Sequence, residues 1–184
     1  MSSKILVLYA STHGQTAKIA QRIGATLHDG GDDVDVVAID DAPSDVAQYD
    51  AVICGASVHA GRHQSEIVKW IGVRSDALDA MPSAFFSVSL SAADETDEAR
   101  ADTRKMVDDV LNETGWTPVR TEAIAGALQF SKYNLPTRVL MRLIVRRHDP
   151  KPDLHADTEY TDWDAVDRFA REFAASAAKA PTAS

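Results

Sequence analysis

The N-terminal stretch constrains the fold most, because it joins a continuously apolar run to a short polar turn and then to an amphipathic helix pattern. Residues 5–9 are apolar and partly β-branched, which is typical of a strand buried on both faces in a parallel sheet. Residues 15–28 carry apolar side chains at helical spacing. A buried strand, a turn and a helix form the unit from which α/β sheets are built.

The rest of the chain repeats this alternation. Apolar runs that predict four more strands occupy residues 34–39, 51–56, 84–90 and 122–128. Patterns that predict further helices cover residues 64–73, residues 94–112 and a stretch that begins with Thr161 or Asp162 as its N-cap. We therefore predict an α/β fold in which five parallel strands, in the order 2-1-3-4-5, form a doubly wound sheet with helices on both faces.

The chain of 184 residues is long enough for one domain with a sizeable core. We predict a single domain over residues 1–176 and a frayed tail over residues 177–184. Residues 129–158 interrupt the alternation, and we expect them to form a helical insertion after the fifth strand. The Gly-containing stretch at residues 55–61 is predicted to be a loop after the third strand.

The turn after the first strand has the composition of an anion site. It consists of Ser11, Thr12, His13, Gly14, Gln15 and Thr16. A turn between a strand and a helix aims backbone N–H groups at an anion, and Gly14 permits a close approach. The turn has no lysine, no GxxxxGK[ST] pattern and no GxGxxG pattern, which argues against a triphosphate or a dinucleotide. Neutral donors suit one phosphate, as in FMN; the alternative is an ordinary capped turn.

Two other loops are expected at the same edge of the sheet, because ligands bind where the strand order reverses. They contain Ala56, Ser57, Val58, His59, Ala60 and Gly61 after the third strand, and Val88, Ser89, Leu90 and Ser91 at the end of the fourth. Small residues there let backbone approach a flat ring. His59, Arg62 and His63 could bind acidic groups of a substrate or tune a flavin. These three residues could equally be solvated loop residues with no role in binding.

Several motifs carry a family resemblance. The segments YASTHGQTAKIA and CGASVHAG, with the five-strand order, resemble the flavodoxin family. More narrowly, MPSAFFSVSL, IAGAL and YTDW are similar to segments of the flavodoxin-type menaquinone-dependent protoporphyrinogen IX dehydrogenases. The resemblance implies FMN as cofactor, with phosphate contacts from residues 11–16 and ring contacts from residues 56–61 and 88–91. It implies oxidation of protoporphyrinogen IX to protoporphyrin IX in haem biosynthesis, with a quinone as electron acceptor.

Other functions fit the same fold. A flavodoxin-type electron carrier would dock with redox partners through the acidic surface. An NAD(P)H:quinone reductase would reduce its flavin with NAD(P)H, and a binding domain without flavin would stay colourless. The insertion favours the enzyme, because a simple carrier needs no such segment. We assign no catalytic base and no metal ligand.

The insertion contains a locally basic, apolar stretch at residues 135–147. Arg138, Arg142 and Arg146 recur every four residues and would form one edge of a helix. Such a helix could lie in a membrane interface with its arginines at the headgroups. It could instead cover a porphyrin, with arginine meeting propionate. The third reading is a helix packed on the domain with its arginines in solvent.

The charge balance and the single cysteine bear on the partners and the location. The formal net charge is -9, which argues against nucleic-acid binding. Cys54 lies in an apolar run and fits a buried position in a reducing compartment. The N-terminus has no secretion-signal pattern, and no apolar run approaches the ~20 residues that span a bilayer. We expect a cytoplasmic protein, with possible peripheral contact at the inner face of the membrane.

Overall fold

A computed structural model describes residues 2–128 and 157–178. The strands are β1 (Lys4–Ala10), β2 (Asp33–Ala38), β3 (Ala51–His59), β4 (Arg62–His63), β5 (Ser83–Ser89), β6 (Arg120–Ala125), β7 (Ala127–Leu128) and β8 (Thr158–Glu159). The helices are α1 (Gln15–Asp29), α2 (Ser65–Asp79), α3 (Asp97–Thr114) and α4 (Trp163–Ala177), with short 3₁₀ turns at Ile39–Asp41 and Ser91–Ala93.

The central sheet has the predicted order. Its strands run β2-β1-β3-β5-β6, all parallel, which corresponds to 2-1-3-4-5 among the five predicted strands. The order reverses between β1 and β3, and the register places Ala10 beside Ala56 and Ser57 beside Val88. The carboxyl ends of β1, β3 and β5 therefore meet at one edge, as expected at a switch point.

Two apolar cores cover the two faces of the sheet, because side chains along each strand alternate in direction. Leu6 and Leu8 of β1 pack in the core beneath α2 and α3. Ile5 and Val7 pack in the other core, beneath α1 and α4. All four side chains are fully buried. The prediction of helices on both faces is confirmed.

The end of β3 differs from the prediction of a loop at residues 55–61, which is wrong. The strand continues to His59, and the chain then turns back so that β4 pairs antiparallel with it. Ala60 and Gly61 form the two-residue turn, with φ values of 49° and 78°. Two consecutive residues with positive φ are what a type I′ hairpin needs. Alanine is an unusual first residue for such a turn, so the amino-acid sequence gives only a weak indication of the hairpin.

The fifth predicted strand is also shorter than expected. β6 ends at Ala125 rather than Leu128, because the chain leaves the sheet at Gly126. The Gly126 N–H donates to the Ser89 carbonyl, and the Gly126 carbonyl accepts from the Tyr160 N–H. Residues 127–128 then pair antiparallel with residues 158–159. Residues 129–156, with Arg138, Arg142 and Arg146, lie outside the described residues.

The helix boundaries follow their caps. Thr96 accepts from the Ala99 N–H, so α3 begins at Asp97 rather than at Asp94. Asp162 accepts from the Ala165 N–H and is the N-cap of α4. Ala177 is the last residue of that helix, and residues 179–184 of the predicted tail lie outside the described part of the chain.

In the two described stretches, no helix is both long and apolar enough to cross a bilayer.

Candidate functional site

A cleft of about 160 Å³ opens at the switch point of the sheet. Its lining combines the three segments expected there with one further segment. The lining residues are Ser11, His13, Gln15, Thr16, Ser57, Val58, His59, Ala60, Val88, Ser89, Leu90, Gly126 and Ala127. The structure thus brings together residues from the turn after β1, the β3–β4 hairpin and the end of β5.

The turn after β1 presents the N-terminus of α1 to this cleft. Gly14 is the N-cap residue, with a φ of 96° in the left-handed region, and among the described residues no side chain caps the helix. The Gly14 N–H donates to the Ser11 hydroxyl at 3.0 Å. The N–H of Lys18 makes the first intrahelical bond, to the Gly14 carbonyl. The N–H groups of residues 15–17 precede that bond, so they are available to an anion.

Thr16 supplies an observation that tests whether a phosphate fits. Its side chain is only 1% exposed, and its hydroxyl has no hydrogen-bond partner among the described residues. A buried polar group without a partner costs about 1–3 kcal/mol, and such groups are rare in native proteins. A phosphate oxygen at the start of α1 would accept from this hydroxyl. The residues present therefore fit the phosphate of FMN.

A side chain that the sequence did not single out joins two walls of the cleft. Gln64 lies just before α2, and its amide Nε2 donates to the hydroxyl of Thr12 at 3.1 Å and to the hydroxyl of Ser57. The turn after β1 is thereby fixed to β3. Nothing in the local sequence around Gln64 indicates this role, because its two partners lie 52 and 7 residues away.

Two histidines lie at the rim of the cleft. The rings of His13 and His59 meet edge to face, with centroids 5.2 Å apart. Partial burial lowers the pKa of His59, and the nearby His13 lowers it further. Arg62 is exposed and lies opposite His59 in the hairpin. The rim therefore carries three groups that can donate hydrogen bonds to an acidic ligand.

The other predicted site residues occupy different surroundings. His63 packs away from the cleft lining, with its Nε2 2.8 Å from the Ser87 hydroxyl and its ring against Phe85. Ala56 is fully buried in the core beneath α2 and α3. Gly61 forms the hairpin turn, and Ser91 begins a 3₁₀ turn.

Gly126 and Ala127 line the cleft although the sequence reasoning missed them. Their position directly after the fifth strand could have indicated it, because that strand ends at the same edge of the sheet. A Cβ on Gly126 would lie 3.2 Å from a methyl of Val88, so a side chain there would crowd the end of β5.

Comparison with known proteins identifies the family of the chain. The flavodoxin domain family matches residues 6–155. The protoporphyrinogen IX dehydrogenase [quinone] of Leishmania major is 39% identical over 95% of this chain and 76% of its own length. The protein of the same name from Escherichia coli K12 is 32% identical over 93% of this chain and 94% of its own length.

The comparison with solved structures shows the flavodoxin fold. Oxidised flavodoxin 2 from Bacillus cereus superimposes with a TM-score of 0.59, at 20% identity, over 95% of this chain and 99% of its own. The predicted fold, family and flavin class of cofactor are confirmed. The chain therefore belongs to the flavodoxin family, within the group of quinone-dependent protoporphyrinogen IX dehydrogenases.

Proposed function

We propose that this chain binds FMN in the cleft and oxidises protoporphyrinogen IX to protoporphyrin IX, with a quinone as electron acceptor. One structural observation carries the cofactor assignment: the buried Thr16 hydroxyl has no partner among the described residues, beside an α1 N-terminus that no described side chain caps. The names of the relatives support the substrate and the acceptor.

The proposed role of each residue follows from its position in the cleft. The N–H groups of residues 15–17 and the Thr16 hydroxyl would hold the phosphate. The hairpin at Ser57–Ala60 and the end of β5 at Val88–Leu90 form the walls between which a flat ring would lie. When bound, FMN supplies the redox chemistry, because it accepts electrons from a reduced substrate and delivers them to a quinone. The protein positions the reactants and excludes water.

Anaerobic mixing tests this proposal. FMN-loaded protein is combined with protoporphyrinogen IX, and the flavin absorbance and porphyrin fluorescence are followed with and without a quinone. We expect the flavin to bleach with substrate alone and porphyrin to accumulate catalytically once quinone is added. A flavin that stays oxidised would contradict the substrate assignment. Rapid bleaching by NAD(P)H instead would indicate an NAD(P)H:quinone reductase.

The rim suggests how the substrate is oriented. Protoporphyrinogen carries two propionate groups, and His13, His59 and Arg62 present N–H donors at the mouth of the cleft. A hydrogen bond from the charged Arg62 guanidinium to a carboxylate is among the stronger ones in proteins, whereas His59, whose pKa is lowered, would donate as a neutral imidazole. We therefore assign these three side chains to recognition of the substrate carboxylates rather than to electron transfer.

Two rim substitutions separate recognition from cofactor binding. We expect Arg62→Gln and His59→Gln to raise the KM for protoporphyrinogen about tenfold each, with the Kd for FMN unchanged. Arg104→Gln serves as the matched control, because Arg104 is exposed on α3 and does not line the cleft. Equal KM values in all three variants would exclude the rim from substrate recognition.

The segment at residues 135–147 is proposed to contact a membrane surface and so bring the cleft near a lipid-soluble quinone. The sequence pattern of Arg138, Arg142 and Arg146 motivates this, and the chain enters the insertion from Ala127, which lines the cleft. Replacing the three arginines by Glu should abolish cosedimentation with anionic vesicles and slow turnover with a lipid-soluble quinone. Unchanged cosedimentation and turnover would reject the membrane role.

A further inference from the structure

The antiparallel ladder of β7 and β8, here called the stem, stands directly beside the cleft. Ala127 pairs with Glu159 and Leu128 with Thr158, and Ala127 itself belongs to the cleft lining. Backbone hydrogen bonds of 3.0 Å join Gly126 to Ser89 on one side and to Tyr160 on the other. The stem is therefore fixed to the end of β5, where one wall of the cleft lies.

Side chains from the first turn of α1 reach the stem and the residues that directly follow it. The Gln15 amide Nε2 donates to the Thr161 hydroxyl at 2.9 Å, and that hydroxyl donates to the Ala125 carbonyl at 2.7 Å. Nearby, the Lys18 ammonium lies 3.3 Å from the Glu159 carboxylate. The turn that presents N–H groups to a phosphate is thus hydrogen-bonded to residues that lie about 140 positions further along the chain.

The Gln15 amide group lies between the cleft and Thr161. The side chain is 6% exposed and lines the cleft. Its Nε2 is engaged by Thr161, whereas its Oε1 is buried without a partner among the described residues. A hydroxyl donor from a ligand in the cleft would satisfy this oxygen, and the sugar-alcohol chain of FMN carries hydroxyl groups. The Gln15 amide would then be held from both sides.

We propose that Gln15 is a positioning residue that couples flavin binding in the cleft to the order of the stem. The inference rests on the FMN site proposed above and adds a second element to it. In the described residues, Gln15 is held through Thr161 and through Glu159, whose pKa its side chain lowers, while Oε1 stays without a partner. A ligand hydroxyl that donates to Oε1 would fix the amide and, with it, the contact to Thr161. Coupling between two such elements is reciprocal. If FMN stabilises the ordered stem by a given factor, the ordered stem strengthens FMN binding by the same factor, so loss of the Thr161 contact should weaken FMN binding.

Thr161 offers an isosteric test of this coupling. Thr161→Val keeps the shape of the side chain but removes the hydroxyl, and Thr161→Ser keeps the hydroxyl. Two quantities are measured on the full chain: the Kd for FMN by fluorescence, and hydrogen exchange at the Tyr160 N–H with and without FMN. In the wild type, FMN should slow exchange at this N–H.

The expected results differ between the two variants. Thr161→Val should raise the Kd for FMN about fivefold and lose the FMN-dependent slowing of exchange, and Thr161→Ser should restore both. Gln15→Met, which removes the contact to Thr161 and also the Oε1 acceptor, should raise the Kd for FMN at least as much and likewise lose the FMN-dependent slowing of exchange. The double variant should bind FMN no more weakly than Gln15→Met alone, because both substitutions remove the same contact between Gln15 and Thr161. If the two substitutions weakened FMN binding independently, their effects on the Kd would instead multiply in the double variant.

Three results would overturn the inference. The first is wild-type affinity for FMN in Thr161→Val, and the second is an undiminished effect of FMN on exchange in that variant. The third is additive loss of affinity in the double variant. A wild-type protein that fails to bind FMN at all would instead remove the proposed function, and the inference with it.

Discussion

The imidazole Nε2 of His63 lies 2.8 Å from the hydroxyl of Ser87, and this contact joins the β3–β4 hairpin to β5. The ring also packs edge to face against Phe85. Burial lowers the pKa of His63 to about 4, although the distant charge of Asp109 opposes the shift slightly. His63 is therefore a neutral support of the hairpin at neutral pH, and not a cation available to a substrate.

This pKa predicts a pH dependence of stability. Between about pH 6.5 and pH 4, the unfolded chain binds a proton at His63 that the folded protein does not, so stability falls as the pH is lowered. The loss should be on the order of 3 kcal/mol and be complete only below about pH 4. We expect His63→Gln, which can keep a hydrogen bond to Ser87 without titrating, to show a correspondingly flatter profile in denaturant unfolding. Parallel profiles would contradict the shifted pKa.

The hairpin turn should respond in opposite directions to two substitutions. Ala60 has a φ of 49°, in a region that asparagine tolerates better than alanine. Ala60→Asn creates the preferred Asn-Gly turn and should stabilise the protein by about 0.5–1 kcal/mol. Gly61→Ala should destabilise it by about 1–2 kcal/mol through conformation alone, since no atom lies within 4 Å of a Cβ built there. Thermal unfolding measures both, and effects of the same sign would refute the turn assignment.

The contact between α1 and α4 depends on one buried carboxylate. Asp167 is 6% exposed, accepts two hydrogen bonds of 2.7 Å from Arg22 and accepts a third from Thr26. The hydrogen bond from Arg22 lowers the pKa of Asp167 to about 2, with a smaller opposing effect of burial. Its contribution to stability is therefore present above about pH 4 and is lost as the pH falls through about 2.

Replacing this carboxylate should be costly at neutral pH. We expect Asp167→Asn to destabilise the protein by about 1–2 kcal/mol, because the half-exposed Arg22 guanidinium loses its charged, doubly hydrogen-bonded partner. Asp109→Asn is the matched control: Asp109 forms an exposed ion pair with Lys105 four residues away, and its loss should cost less than about 0.5 kcal/mol. Urea unfolding at pH 7 measures both, and similar values for the two variants would contradict the role of Asp167.

The part of the fold that the sequence predicted depends on local patterns. The buried runs of β1, β3 and β5 indicate a parallel sheet, and the six-residue turn at residues 11–16 indicates an anion site, because each signal lies within a few residues. The hairpin was missed because Ala60 occupies a turn position that favours asparagine or glycine. The partners of Gln15 and Gln64 were missed because those contacts join residues up to 146 positions apart. Such partners meet only in the folded protein, and the local sequence carries no signal for them.

Thr16 provides a direct test of the phosphate site. Thr16→Val removes the buried hydroxyl and should weaken FMN binding about tenfold, whereas Thr16→Ser should bind FMN as the wild type does. Because the orphan hydroxyl of the apoprotein disappears as well, Thr16→Val should be as stable as the wild type or more stable in the absence of FMN. Isothermal titration and thermal unfolding give the two quantities. Lower affinity combined with a large loss of apoprotein stability would indicate a packing role instead.

The most direct measurement of the central claim compares two flavins that differ only in the phosphate. The wild-type apoprotein is titrated with FMN and with riboflavin under the same conditions, and the quenching of flavin fluorescence gives both Kd values. If the N-terminus of α1 and the Thr16 hydroxyl hold the phosphate, FMN should bind at least about a hundredfold more tightly, and Thr16→Val should reduce that ratio. Equal affinities for the two flavins would contradict the phosphate site and, with it, the flavin-dependent function.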